Sequence, residues 1–124
     1  VIPLLLALFA PFNHAPHLTT VKLKCADCHT APAKFGDPVG YPKVARCALC
    51  HPQIDKNTAI PSHRTFPLAD FVYFDHRFHL MNAVTCQDCH GEDAARDATK
   101  MSFCQPCHVK TRAPARCNTC HDER

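Results

Sequence analysis

Hydrophobic and polar positions divide this chain unevenly. No Asp, Glu, Lys or Arg occurs before Lys22, and residues 1–12 are an almost unbroken apolar run interrupted by Pro3 and Pro11. A run of this length is too short for a membrane span and suits a buried segment, while its prolines argue against a full-length helix. It lacks the basic start of a signal peptide, and Pro11 is a poor context for cleavage, so the chain reads as one whose signal has been removed. Beyond Lys22 no long apolar period is sustained. Val21-Lys22-Leu23-Lys24 alternates, and Phe71-Val72-Tyr73-Phe74 is rich in β-formers, so each predicts a short strand. Residues 92–100, with acids early and Lys100 last, predict the longest helix. With 11 Pro in 124 residues, the expected fold is small and mostly irregular, with few short helices and at most one short two-stranded hairpin.

Chains of this length usually build one domain, and 1–124 is read as one. The formal charge is +3 with Lys and Arg spread along the chain, which is not the footprint of a nucleic-acid binder. The cysteines change the picture. All 10 fall in five copies of Cys-x-x-Cys-His: Cys25/Cys28/His29, Cys47/Cys50/His51, Cys86/Cys89/His90, Cys104/Cys107/His108 and Cys117/Cys120/His121. This is the attachment signal of c-type haem, in which two thiols add to the porphyrin vinyls and the adjacent imidazole ligates iron. Zinc half-sites share Cys-x-x-Cys but do not require the following His. A disulfide scaffold leaves both the repeated His and the regular spacing unexplained.

The histidine count tests this reading independently. Of 10 His, five lie in the motifs and five remain: His14, His17, His63, His76 and His79. Five irons with one motif ligand each need five more axial ligands, so the inventory closes if every iron is bis-histidine. Met81 and Met101 are the only thioether alternatives; they read better as apolar filler. The expected cofactors are therefore five haem c.

Four of the remaining histidines form two His-x-x-His pairs within a repeat. Phe12-Asn13-His14-Ala15-Pro16-His17-Leu18 leads into Cys25, and Phe74-Asp75-His76-Arg77-Phe78-His79-Leu80 leads into Cys86. Six or seven residues separate the second His from Cys-x-Asp-Cys-His in each copy. The repeat divides the chain into a two-haem unit (12–55), a linker (56–70) carrying His63, and a three-haem unit (71–124), behind the apolar arm 1–11. Phe-x-His-x-x-His ahead of Cys-x-x-Cys-His resembles the class III cytochromes c, small tri- and tetrahaem electron carriers. The resemblance implies a multihaem cytochrome c fold with a haem core. It implies that His14 serves the iron of His29 and His76 that of His90. It further implies His17 for the iron of His51, His79 for that of His108, and leaves His63 for that of His121. The departure is the count of five.

At about 25 residues per haem (124/5), the porphyrins are expected to be most of the core, and the chain without them to be unfolded. Each ferric bis-histidine haem brings a net charge of about −1, so the loaded protein is expected near +3 − 5 = −2. Arg77 is a candidate partner for a propionate. A saturated ligand count offers no open iron, so the expectation is an electron carrier and not an enzyme; a multihaem reductase is the rival. The apolar arm must be covered, and a second copy docked head to tail would give a filament. This resembles filament-forming extracellular cytochromes, with redox proteins or extracellular acceptors as partners and no transmembrane span. A soluble periplasmic shuttle is the alternative. Haem attachment outside the cytoplasmic membrane places the protein at the cell surface or beyond it, or else in the periplasm.

Overall fold

A computed structural model of the chain describes residues 12–60 and 66–121. The apolar arm, 1–11, and His63 lie outside the described residues. The six α-helices among the described residues are α1 (Cys25–Cys28), α2 (Val44–Cys47), α3 (His76–Met81), α4 (Cys86–His90), α5 (Met101–Thr111) and α6 (Cys117–Cys120). Five of the six overlap attachment motifs, and α3 carries the second His pair. In the first, second and fifth motifs the His N–H closes back on the first Cys carbonyl at 2.8, 2.9 and 2.8 Å. The chain thus makes one tight turn through both sulfurs and the imidazole. A single turn fixes several dihedrals for one hydrogen bond and is unfavourable alone, so these turns depend on what the motif holds.

The predicted helix over 92–100 does not form. Asp93 and Asp97 accept from the N–H groups of Ala95 and Thr99 at 3.1 and 3.0 Å, and Ala94 adopts φ 59°. Short acidic side chains that bind nearby backbone in this way compete with helix formation. The longest helix, α5, instead starts directly after Lys100 and carries the fourth motif, with Pro106 inside it and Arg112 closing it in the left-handed region.

Neither predicted strand belongs to a hairpin. Lys22 has φ 64°, which turns the chain after a wide, π-type turn over Pro16–Thr20. Phe71–Phe74 makes only an isolated bridge, Val72 to His121, with the Tyr73 N–H on the Cys120 carbonyl at 2.7 Å. The other bridge among the described residues joins Thr30 and Gly40. The result is a small, mostly irregular fold with short helices and, among the described residues, no sheet.

The two repeats superpose in their hydrogen bonds, and the difference between them has a simple cause. Leu23 N–H binds the His17 carbonyl at 3.0 Å; Val84 N–H binds the His79 carbonyl at 3.1 Å. Lys22 (φ 64°) and Ala83 (φ 61°) precede these donors. Lys24 and Thr85 then donate their N–H to Asp27 and Asp88, both at 2.7 Å, capping α1 and α4. The first repeat has one more residue between its second His and its Cys. The π-type turn, closed by Val21 N–H on the Pro16 carbonyl at 3.1 Å, absorbs it.

No hydrophobic side chain among the described residues is buried, and Leu49 and Val109 are 73% and 70% exposed. No two of these helices share an extensive interface. A domain held by burial of its own apolar side chains needs the opposite arrangement. Among the described residues the peptide leaves its hydrophobic side chains at least partly exposed.

Candidate metal centres

Phe12 and Phe74 build the first element of each site. The Phe12 ring meets His14 edge-on and lies tilted on His17, both at 4.8 Å between centres. Phe74 meets His76 edge-on at 4.8 Å and stacks on His79 at 4.5 Å. One phenyl ring thus fixes two imidazoles one helical turn apart. The second imidazole of each pair is fixed again through Nδ1. His17 Nδ1 lies 3.1 Å from the Asn13 carbonyl, and His79 Nδ1 2.8 Å from the Asp75 carbonyl. A carbonyl only accepts, so Nδ1 carries the proton and Nε2 keeps its lone pair for a metal. Two motif histidines are held in the same way: His29 Nδ1 on the Gly40 carbonyl at 3.1 Å and His108 Nδ1 on the Pro114 carbonyl at 2.7 Å.

The fold then faces these rings with motif histidines. Ring centres are 6.1 Å apart for His14 and His29, 6.3 Å for His17 and His51, 6.4 Å for His76 and His90, and 6.1 Å for His79 and His108. A metal–imidazole bond of about 2.0–2.1 Å, with the ring centre about 1.1 Å behind its nitrogen, gives about 6.2 Å between two imidazoles on opposite sides of one ion. All four spacings fit one iron between two imidazoles. Burial, reinforced by His29, His17 and His90 nearby, pushes the His14 imidazole below its ordinary pKa, towards the neutral form that binds metal. Beside the second pair, a cavity of about 420 Å³ is lined by Pro16, His17, Val21, Leu23, Cys50 and His51. It is apolar, with a motif thiol and two imidazoles on its wall, as a porphyrin would require. His121 has no imidazole opposite it among the described residues; the Phe71 ring packs on it at 5.6 Å. Met81 and Met101 are 64% and 55% exposed, so neither fills a peptide core.

None of the 10 cysteines is paired in a disulfide, and among the described residues no three His, Cys, Asp or Glu converge on one point. A disulfide scaffold needs paired sulfurs, and a structural zinc site needs four converging ligands. The donor set therefore fits haem: thiols in i, i+3 pairs, an imidazole next to each pair, a second imidazole opposite four of the five, and apolar surface around. The cysteines named above would bind porphyrin covalently, and the histidines would ligate its iron.

Asp75 is the residue whose importance the sequence least disclosed. It is 5% exposed, the one buried charged side chain among the described residues. Its carboxylate accepts from the N–H of Gly36 at 2.8 Å, the N–H of Phe78 at 3.3 Å and the Tyr73 hydroxyl at 3.3 Å. Burial pushes its pKa up, but these donors outweigh it and hold the group below the ordinary value. The only signal was the Asn/Asp position ahead of each His pair. Arg77, a candidate propionate partner, has its Nη1 on the Pro32 carbonyl at 3.1 Å and its guanidinium 5.5 Å from the Phe35 ring centre.

The chain matches the Cytochrome c3 family over residues 16–109, more than half its length, and belongs to that family of multihaem, haem c-binding electron-transfer proteins. The match takes in four of the five attachment motifs and ends one residue after His108. No curated protein and no solved structure matches the chain. No helix among the described residues is long and apolar enough to cross a membrane.

Proposed function

We propose that this protein is an electron conduit carrying five covalently bound haems, each between two imidazoles, and that it is not an enzyme. The observation that carries this is the common spacing of four imidazole pairs, 6.1–6.4 Å, where no hydrophobic side chain among the described residues is buried. His14, His17, His76 and His79 hold the distal positions, and His63 supplies the fifth. A haem iron with imidazole on both sides exchanges one electron while keeping all six ligands. The chain's part is to hold the imidazoles at fixed angles, through Phe12, Phe74 and the Nδ1 hydrogen bonds, so that little moves when charge arrives. Ten thioether links from the cysteines hold the rings in place.

The apolar segment 1–11 favours a subunit of an extracellular filament, the segment docking on the next copy. A soluble periplasmic shuttle is the second reading. Intact mass, paramagnetic resonance and electron microscopy of native material test both levels. Five haems, wholly low-spin iron and filaments are expected. Bare cysteines would overturn the haem reading. High-spin iron that binds carbon monoxide would point to a reductase. Monomers at high concentration with a protease-sensitive N-terminus would remove the filament and leave the shuttle.

A further inference from the structure

We infer that the five haem sites stand in one row in the order second, first, third, fourth, fifth. The Cys25–Cys86 contact is the junction at which electrons cross between the two halves of the chain. This rests on the haem reading above and assigns each step a contact of its own. The second and first sites share one turn, because His17 and His14 both lie against Phe12. The third and fourth share α3, because His76 and His79 both lie against Phe74, and Cys89 of the third motif is near enough to Cys104 and Cys107 of the fourth to feel their charge. Cys104 in turn is near enough to Cys120 of the fifth to feel its charge.

The crossing between halves is the step the repeat alone leaves open. Five contacts place it. The loop after the first motif packs on α3 and its cap: Gly36 N–H on Asp75, 2.8 Å; Arg77 on the Pro32 carbonyl, 3.1 Å; and Phe35 on Phe78, 6.4 Å between ring centres. Beyond this clamp the Cys25 and Cys86 thiols are near enough for Cys86 to push the Cys25 thiol up, and His14 lies near His90. Cys25 and Cys86 are the same position of the two repeats, so the halves meet through equivalent groups. In the loaded protein each sulfur is bonded to a carbon on the edge of its porphyrin. The sulfur contact therefore brings two ring edges together. Each transfer there moves one electron, one iron passing from ferrous to ferric as its neighbour passes from ferric to ferrous, with no bond made or broken. The second and fifth sites, at the two ends of the row, are where electrons enter and leave.

Crystals of the holoprotein, with iron located by anomalous scattering and each iron assigned by its motif, test this. The expected result is that the closest pair of irons between the halves is that of His29 and His90, with the sulfurs of Cys25 and Cys86 between their rings. Exchange spectroscopy of the half-reduced protein should show the fastest crossing between the same two haems. A different closest pair, or a faster crossing elsewhere, would overturn the order. A haem count below five by mass would instead strike the proposed function and leave the order of the remaining haems readable.

Discussion

The backbone N–H of Gly36 donates to the carboxylate of Asp75 at 2.8 Å, across 39 positions of sequence. Asp75 at the same time caps α3 by accepting from Phe78 and offers its own carbonyl to His79 Nδ1. One residue therefore joins the two repeats, starts the helix that carries His76 and His79, and orients the second of these rings. Replacing Asp75 with Ala leaves three donors without their acceptor. The thermal midpoint of the holoprotein should fall by several degrees. Asn13→Ala, at the equivalent position, should cost less, because the Asn13 side chain accepts from the N–H of Ala15, two residues along the same segment, at 3.0 Å. Equal losses would show that the bond between repeats contributes nothing.

The four imidazole pairs fall into two classes. Ring planes are 17° and 12° apart for His14/His29 and His76/His90, but 59° and 52° apart for His17/His51 and His79/His108. The angle between imidazole planes sets the splitting of the iron d orbitals in low-spin ferric haem. Paramagnetic resonance of the oxidised protein should contain two ordinary rhombic signals and two with a larger principal g value. A single class of signal would contradict these orientations.

His79→Met exchanges a distal imidazole for a thioether, which raises the potential of a haem iron. About one-fifth of the absorbance change in a redox titration should move to higher potential, one haem among five. His108, held by the Pro114 carbonyl at 2.7 Å, stays in place on the other side. A titration that keeps the wild-type shape would show that His79 is not a ligand.

Gly91 follows the third motif directly, at φ 78° and ψ 177°, a region essentially restricted to glycine. Space is not the obstacle, since a Cβ there would meet Arg96 atoms only at 3.6 Å. Gly91→Ala should destabilise the holoprotein by about 1–3 kcal/mol through backbone strain alone, measured by denaturant unfolding. An unchanged midpoint would refute this backbone conformation.

The Asp97 carboxyl is held below its ordinary pKa, first by the Thr99 hydroxyl at 2.5 Å and then by the Thr99 N–H at 3.0 Å. A carboxylate with a lowered folded pKa stabilises at pH above its unfolded value of about 3.9, and the contribution disappears as pH falls through the folded value. Thermal midpoints of wild type and Asp97→Asn should differ at neutral pH and converge in acid. A gap that persists in acid would assign the effect to something other than the charge. The exposed Lys100–Asp97 pair at 3.9 Å should add little.

The sequence was most legible where chemistry demands adjacent residues. The five Cys-x-x-Cys-His motifs and the two Phe-x-His-x-x-His segments could be read directly, because attachment and ring stacking act within one turn. Regular structure was less legible. The charge gradient over 92–100 suggested a helix, but Asp93 and Asp97 bind their own neighbours instead. The alternation of Val21–Lys24 suggested a strand, but Lys22 reverses the chain to repeat the turn made at Ala83. Where no hydrophobic side chain among the described residues is buried, hydrophobic periodicity no longer reports which face is buried, so the usual signal loses its cause.

The sequence by itself determined the inventory of thiols and imidazoles, the two-fold repeat and the family, since each depends on residue type at short fixed spacing. Only the tertiary structure decided the distances and angles between rings from separate segments, the role of Asp75, the backbone carbonyls that orient His29 and His108, and the meeting of Cys25 with Cys86. Such contacts form between groups far apart in the chain, where a carbonyl or a loop leaves no mark in the identity of the residue.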